Sequence, residues 1–292
     1  QRQMCIRDSS DRLLEGYFHS VSTLNLIRAF IQGGYSDLKN ILDWKEHAFR
    51  DLVINNKRYG MLETELSSSS ETNKLNREPS HTNFDNNVYI SHEGLLLDYE
   101  EAFTRIDTTT GKYYNTSAHL LWIGERTRGL KDAHVEYMSG IENPIGIKVG
   151  PNFNINELIE VIKKINPLNQ DDKIILIIRM GKDKIEKKLL DIIVALKASK
   201  LNAIYSCDPM HGNTFSHDNY KVRSFDSIKK ELILFFKICY DEGVMPGGVH
   251  LEVTGEDVTE CIGGPQNINY EDLSNNYLTT VDLSLIHISE PT

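Results

Sequence analysis

Cys207-Asp208-Pro209-Met210-His211-Gly212-Asn213-Thr214 follows the apolar run Ala203-Ile204-Tyr205 and puts a histidine on the turn that comes next. This is the pattern of a strand ending in a polar, glycine-containing loop. In an α/β protein, side chains at the carboxyl ends of parallel strands face the cavity where ligands sit, so His211 stands where chemistry would be done. A loop histidine alone is ordinary, and the case for function comes from its neighbours. Gly247-Gly248-Val249-His250-Leu251-Glu252-Val253-Thr254-Gly255 reads as another buried strand. Its period of two puts Val249, Leu251 and Val253 on one face and Gly248, His250 and Glu252 on the other. A carboxylate on an inward face needs a cation or a metal ion as companion.

Working outward, strands are expected at residues 119–123, 144–149, 174–178, 203–207 and 249–253. Helical periodicity lies between them. Ile155, Leu158, Ile159 and Ile162 follow a candidate N-cap, Asn154; Ile185, Leu189, Ile192, Ile193 and Leu196 line the next helix; Phe225, Ile228, Leu232, Phe235 and Cys239 line the last, which Gly243 ends. Repeated βα units imply a parallel sheet. The glycine-rich G-x-G-x-x-G turn of nucleotide-binding open sheets is missing, while polar residues close almost every strand, which favours a (β/α)8 TIM barrel, incomplete in this chain.

Upstream the pattern is helical. Leu14, Tyr17, Phe18, Val21, Leu24 and Ile27 recur at spacings of three and four before Gly33-Gly34. A second helix is expected at 44–53, an exposed polar loop at 67–87, and an amphipathic helix at 91–100. Residues 1–10 and 283–292 read as non-native ends, the translation of adaptor sequence. The expected layout is therefore a helical segment over 11–118 and barrel βα units over 119–282.

The 292 residues, 40% of them hydrophobic, suffice for a large α/β core. A net charge of -10 argues against nucleic acid or an anionic membrane as partner. Four cysteines show neither a C-x-x-C pair nor zinc-ribbon spacing, which fits a reducing compartment. The apolar runs are far short of the roughly 20 residues that span a bilayer.

Any anionic substrate must be held by local cations. Ile145, Ile147 and Val149 alternate with Gly146, Lys148 and Gly150, which sets a lysine on an inward face between two glycines, with room for a ligand beside it. Arg179 closes the run Ile174-Ile175-Leu176-Ile177-Ile178, and Arg126 follows Trp122-Ile123-Gly124-Glu125. Three cations at three consecutive strand ends suit a phosphorylated acid. Each of them could instead pair with a carboxylate such as Glu125. His211 and Glu252 form a mixed donor set that suits Mn, Co, Fe or Zn better than Ca. His134 and His250 compete for the ligand role, and His250 could equally support a ligand from behind.

Together these stretches resemble the class II (plant-type) 3-deoxy-D-arabino-heptulosonate 7-phosphate (DAHP) synthases. The resemblance rests on Trp122-Ile123-Gly124-Glu125-Arg126-Thr127-Arg128, on residues 143–152 (NPIGIKVGPN), on Arg179-Met180-Gly181, and on the His211 and Glu252 segments with residues 258–264 (VTECIGG). It implies a (β/α)8 barrel that condenses phosphoenolpyruvate with erythrose 4-phosphate. It further implies that Glu125, Arg126, Lys148 and Arg179 contact phosphoenolpyruvate and that His211, Glu252 and Asp282 bind a divalent metal, Mn before the others. Lys148 and His211 are the catalytic candidates. A homo-oligomeric parent, cytoplasmic or plastid-located in a plant, goes with the family.

The departures are specific. The family's Gln-Gly-Gly-Asp-Cys-Ala-Glu segment, with a fourth metal ligand, and its Lys-Pro-Arg segment are missing, and Leu283-Ser284-Leu285-Ile286 replaces the Pro-Arg-Leu-Asn expected after Asp282. The expectation is a piece of a longer enzyme, inactive by itself. The rivals are a paralogue serving a secondary, phenazine-type pathway and a barrel-derived binding protein without catalysis.

Overall fold

The structure, a computed structural model, describes residues 10–34, 88–217, 220–252, 261–264 and 269. The chain divides into two compact units, residues 1–89 and 90–292. In the first, α1 (Ser10–Gln32) follows the expected spacing of three and four, with Asp11 in its first turn. An acidic residue there suits the positive end of the helix dipole. The amide of Gly33 donates to the carbonyl of Ala29, and Gly34, at φ 80°, takes the left-handed turn that ends the helix. The expected helix at 44–53, the loop at 67–87 and the segment that holds Asp282 lie outside the described residues.

The second unit is built on six parallel strands: β1 (Ser91–Glu93), β4 (Leu120–Ile123), β5 (Ile145–Val149), β6 (Ile174–Ile178), β7 (Ile204–Cys207) and β10 (Pro246–Val249). Their order across the sheet, β1-β4-β5-β6-β7-β10, is their order in the chain. A doubly wound open sheet reverses direction part-way; an unreversed order is how a (β/α)8 barrel winds. β1 and β10 are the two edges, so the sheet does not close among the described residues.

The crossovers carry α3 (Ala133–Ser139), α4 (Ile155–Ile165), α5 (Ile185–Ser199) and α6 (Phe225–Asp241). The Asn154 side chain caps α4 by accepting from the amides of Asn156 and Glu157, as expected. Ile145, Ile147 and Val149 of β5 pack with Leu158 and Ile162 of α4 and Leu189 and Ile193 of α5 in one buried cluster. Every residue of β5 is buried, as befits a parallel strand covered on both faces.

Three differences from the expected elements matter. The stretch 91–100 is not one helix but β1 followed by the short α2 (Leu97–Ala102), so the sheet begins inside the segment expected to be helical. Two antiparallel hairpins, β2 (Thr104–Ile106) with β3 (Tyr113–Asn115) and β8 (Thr214–His217) with β9 (Tyr220–Ser224), had no alternation long enough to announce them; β11 (Cys261–Ile262) runs parallel beside β9. The last sheet strand ends at Val249 rather than Val253, after a register shift between Pro246 and Gly248.

Candidate active site

Register brings the strand ends together. Lys148 pairs with Ile177, Ile177 with Ser206, and Ser206 with Gly248, so these four occupy one row of the sheet. The hydrogen bonding continues one residue beyond: the amides of Arg179, Asp208 and His250 donate to the carbonyls of Val149, Ile178 and Cys207. The strand ends thus deliver Lys148, Arg179, Asp208 and His250 to one end of the sheet.

His211 sits at the centre of this group. Its Nδ1 donates to Asp208 Oδ2 at 2.6 Å, and its Nε2 faces Glu252 Oε1 at 2.8 Å. Burial lowers the histidine pKa, but the hydrogen bonds and charges of Asp208 and Glu252 outweigh it and push the group up to about 9. Asp208 is fully buried; burial raises its pKa, and the His211 hydrogen bond with the nearby His211, Lys148 and His250 charges prevails, holding it at about 2. Asp208 Oδ1 also accepts the amides of Met210 and His211, each at 3.1 Å, which shapes the turn that carries the ring. Glu252 is itself buried, and its Oε2 accepts from Arg223 Nη2 on β9 at 2.8 Å.

Lys148 is buried, with Nζ 4.0 Å from Asp208 Oδ2 and 5.3 Å from the Trp122 ring centroid. The room that the sequence reserved for a ligand beside the flanking glycines is taken, at the glycines themselves, by neighbouring side chains. A Cβ on Gly146 would lie 2.8 Å from Trp122 Cβ, and one on Gly150 would collide with both Glu125 carboxylate oxygens. That space houses the protein's own side chains. Glu125 Oε2 in turn holds Arg179 Nη1 at 3.2 Å, the pairing weighed against a substrate contact. Arg179 still has something to offer, because its Nε is buried without a hydrogen-bond partner, as are Arg128 Nε and Trp122 Nε1. Buried donors left over at strand ends suit an anionic ligand.

Of the other candidates, only His250 stays with the group. Arg126 is exposed on the turn after β4. His134 faces the Leu95 carbonyl through Nε2 at 3.0 Å, which gives it a structural task. His250 packs edge-on against Trp122 with centroids 5.2 Å apart. Sequence reasoning passed over Asp208, Arg223 and Arg128. The Asp-x-x-His spacing at 208–211 was a usable signal for the first; nothing local marks Arg223, because its partner lies 29 residues away.

Residues 3–287 match the class-II DAHP synthetase family. The chain belongs to that family. Over 274 residues it is 41% identical to the phospho-2-dehydro-3-deoxyheptonate aldolase of Streptomyces coelicolor, an alignment covering 93% of this chain and 60% of that protein. To the protein of the same name from Neurospora crassa it is 38% identical over 289 residues, with the same two shares, 93% and 60%. The chain therefore spans about three fifths of the length of these curated relatives.

The DAHP synthase resemblance implies a divalent metal, and His211 and Glu252 carry donor types that suit one. His211 Nε2 lies 2.8 Å from Glu252 Oε1, and Asp208 on Nδ1 fixes the ring so that Nε2 faces that carboxylate; a carboxylate on Nδ1 is the support a metal-bound imidazole ordinarily has. Among the described residues no group of three His, Cys, Asp or Glu is arranged as a complete site, and Asp282 lies outside them. Cys207, Cys239 and Cys261 are buried thiols not joined in disulfides. No described helix is long and apolar enough to cross a membrane.

Proposed function

We propose that this chain carries most of the active site of a DAHP synthase, a transferase that condenses phosphoenolpyruvate with erythrose 4-phosphate, releases phosphate and opens the shikimate route to aromatic amino acids. Family membership and the names of its relatives support the reading. The observation that carries it is the convergence of His211 Nε2 and Glu252 Oε1 to 2.8 Å at the strand ends that also deliver Lys148 and Arg179.

In this reading Arg179, steadied by Glu125, binds phosphoenolpyruvate through its unused donor edge. Arg126 reaches the same substrate from the exposed turn. His211, Glu252 and Asp282 would hold a divalent ion, Mn first and Co, Fe or Zn after it, which when bound supplies a Lewis acid for the aldehyde oxygen. C3 of phosphoenolpyruvate attacks the aldehyde carbon of erythrose 4-phosphate. Lys148, the buried ammonium nearest Asp208, gives its proton to the nascent alkoxide. Water adds at C2, and the C2–O bond to phosphate breaks. The partners are these two substrates and further copies of the chain; a net charge of -10 speaks against nucleic acid.

The test is turnover by the full-length protein that contains this segment. DAHP and phosphate should form in equal amounts, cease with EDTA and return with Mn. Glu252→Ala should abolish metal-dependent turnover. Arg179→Ala should raise the KM for phosphoenolpyruvate about tenfold or more, the loss of one or two charge-assisted hydrogen bonds. A wild type that makes no DAHP sinks the reading, and an unchanged KM in the arginine variant removes Arg179 from it.

A further inference from the structure

Glu231 of α6 is fully buried, and no step of the proposed chemistry uses it. Its Oε1 accepts the backbone amides of Met180 and Gly181, each at 2.9 Å, and its Oε2 accepts from Asn213 Nδ2 at 2.6 Å. The first two amides belong to the loop that continues from Arg179. Asn213 belongs to the loop that carries His211, where its Nδ2 also donates to the Pro209 carbonyl at 2.8 Å and its Oδ1 accepts the Lys182 amide at 3.0 Å. The two loops also touch directly: a Cβ on Gly212 would collide with the backbone nitrogen of Gly181, and Gly181, at φ 82°, holds a conformation suited to glycine.

A buried carboxylate is a costly way to fill a helix face that Ile228, Phe235 and Ile238 otherwise line with apolar carbon. What it does that an apolar side chain could not is accept three N–H groups at once, two from one loop and one from the other. Burial drives its pKa up to about 7 against the pull of those same donors, the mark of an acceptor kept where solvent is scarce.

We propose that Glu231 is a positioning residue that, with Asn213 as its partner, fixes the Arg179 loop relative to the His211 loop and so sets the phosphoenolpyruvate-binding arginine against the metal-binding nitrogen. What the loops hold rests on the function proposed above; the clamp itself is a property of the fold. Glutamine at 231 separates its two halves. The amide oxygen keeps the Met180 and Gly181 amides, whereas its NH2 then faces the NH2 of Asn213, donor against donor. Aspartate at 213 reverses that bond, accepting from the new side-chain NH2 at 231 and still from Lys182, but it gives up the donation to the Pro209 carbonyl.

The experiment uses the full-length protein and four variants, Glu231→Gln, Asn213→Ala, Glu231→Gln with Asn213→Asp, and Glu231→Ala. Mn affinity is read by chelator competition, phosphoenolpyruvate affinity and kcat by binding and kinetics, and loop amides by hydrogen exchange. Glu231→Gln and Asn213→Ala should each weaken Mn binding about tenfold or more and lower kcat, with phosphoenolpyruvate affinity changed less than about threefold. The double variant should recover part of the Mn affinity lost in Glu231→Gln, short of wild type because the Pro209 link is gone. In Glu231→Ala the Met180 and Gly181 amides should exchange fast, and in Glu231→Gln they should stay protected. Equal losses of both ligands, no loss of either, or a folded double variant without recovery overturns the proposal. If wild type makes no DAHP but the exchange pattern follows these expectations, the functional reading fails and the clamp stands.

Discussion

His211 is gripped at both ring nitrogens by carboxylates, and each carboxylate is anchored in turn, Asp208 by two backbone amides and Glu252 by Arg223. The precision of the site therefore depends on residues that touch neither substrate. Arg223→Ala removes the donor that holds Glu252 Oε2, so the buried carboxylate will turn rather than stay aimed. Mn affinity in the full-length protein should drop about 10- to 100-fold, measured by chelator competition. Lys173 shows what a single group does at the opposite end of the strands. It is buried, its Nζ donates to the carbonyls of Ile141 and Asn143, and burial lowers its pKa to about 8. Between about 8 and 10.5 the unfolded chain holds more protons than the native one, so the Lys173 contribution to stability rises with pH across that window. Below it, the cost of the buried charge is fully present. Relative to Lys173→Met, wild type should gain stability from pH 8 to 10.5, by at most on the order of 3 kcal/mol, read from denaturant titrations at several pH values.

At the scale of elements, strength of pattern decided what could be read. Ile174–Ile178 is a pure apolar run, and α4 repeats its aliphatics at helical spacing after a capping asparagine; both stand where the sequence puts them. β1 is Ser-His-Glu, three polar residues with no alternation, followed after Gly94 by three consecutive leucines and an acidic run, so the stretch reads as one helix. What makes it a strand is tertiary. His92 Nε2 lies 2.6 Å from Glu100 Oε1 of α2, while Glu100 Oε2 accepts from Ser117 Oγ at 2.7 Å and Asn115 Nδ2 at 2.8 Å. Glu100 thus ties β1, α2 and β3 into one buried polar knot, and no local window could show it. Glu100→Ala should cost about 3 kcal/mol and lower Tm, with Glu100→Gln costing less because one oxygen still accepts. Equal losses in the two variants would mean that packing rather than hydrogen bonding holds β1. The glycines beside Lys148 were legible as a need for space, but not as to what fills it: Glu125 and Trp122 approach from β4, a neighbour that only the sheet supplies.

For the whole molecule, the number of strands and the fate of the sheet edges bear on activity. A (β/α)8 barrel positions its site by gathering loops from strands around a closed ring, and among the described residues six parallel strands with edges at β1 and β10 form part of such a ring without its seam. The chain spans about three fifths of its relatives' length, and the metal-binding cysteine and Lys-Pro-Arg segments that the family resemblance implies have no counterpart in it. Three proposed ligands, His211, Glu252 and Asp282, make a weaker metal site than the four that the resemblance implies, and strand edges left open invite pairing with other chains. Much of the rate in a bimolecular condensation comes from holding both reactants in line, which an unclosed cavity does poorly. Residues 1–292 expressed alone should therefore form no measurable DAHP, and added Mn should not rescue them. Solubility should be low, seen as aggregation by light scattering. A longer chain, of the length of those relatives, should give turnover that EDTA removes and Mn returns. Robust DAHP formation by residues 1–292 would show that this chain builds the site by itself, and that the further length of its relatives serves stability rather than catalysis.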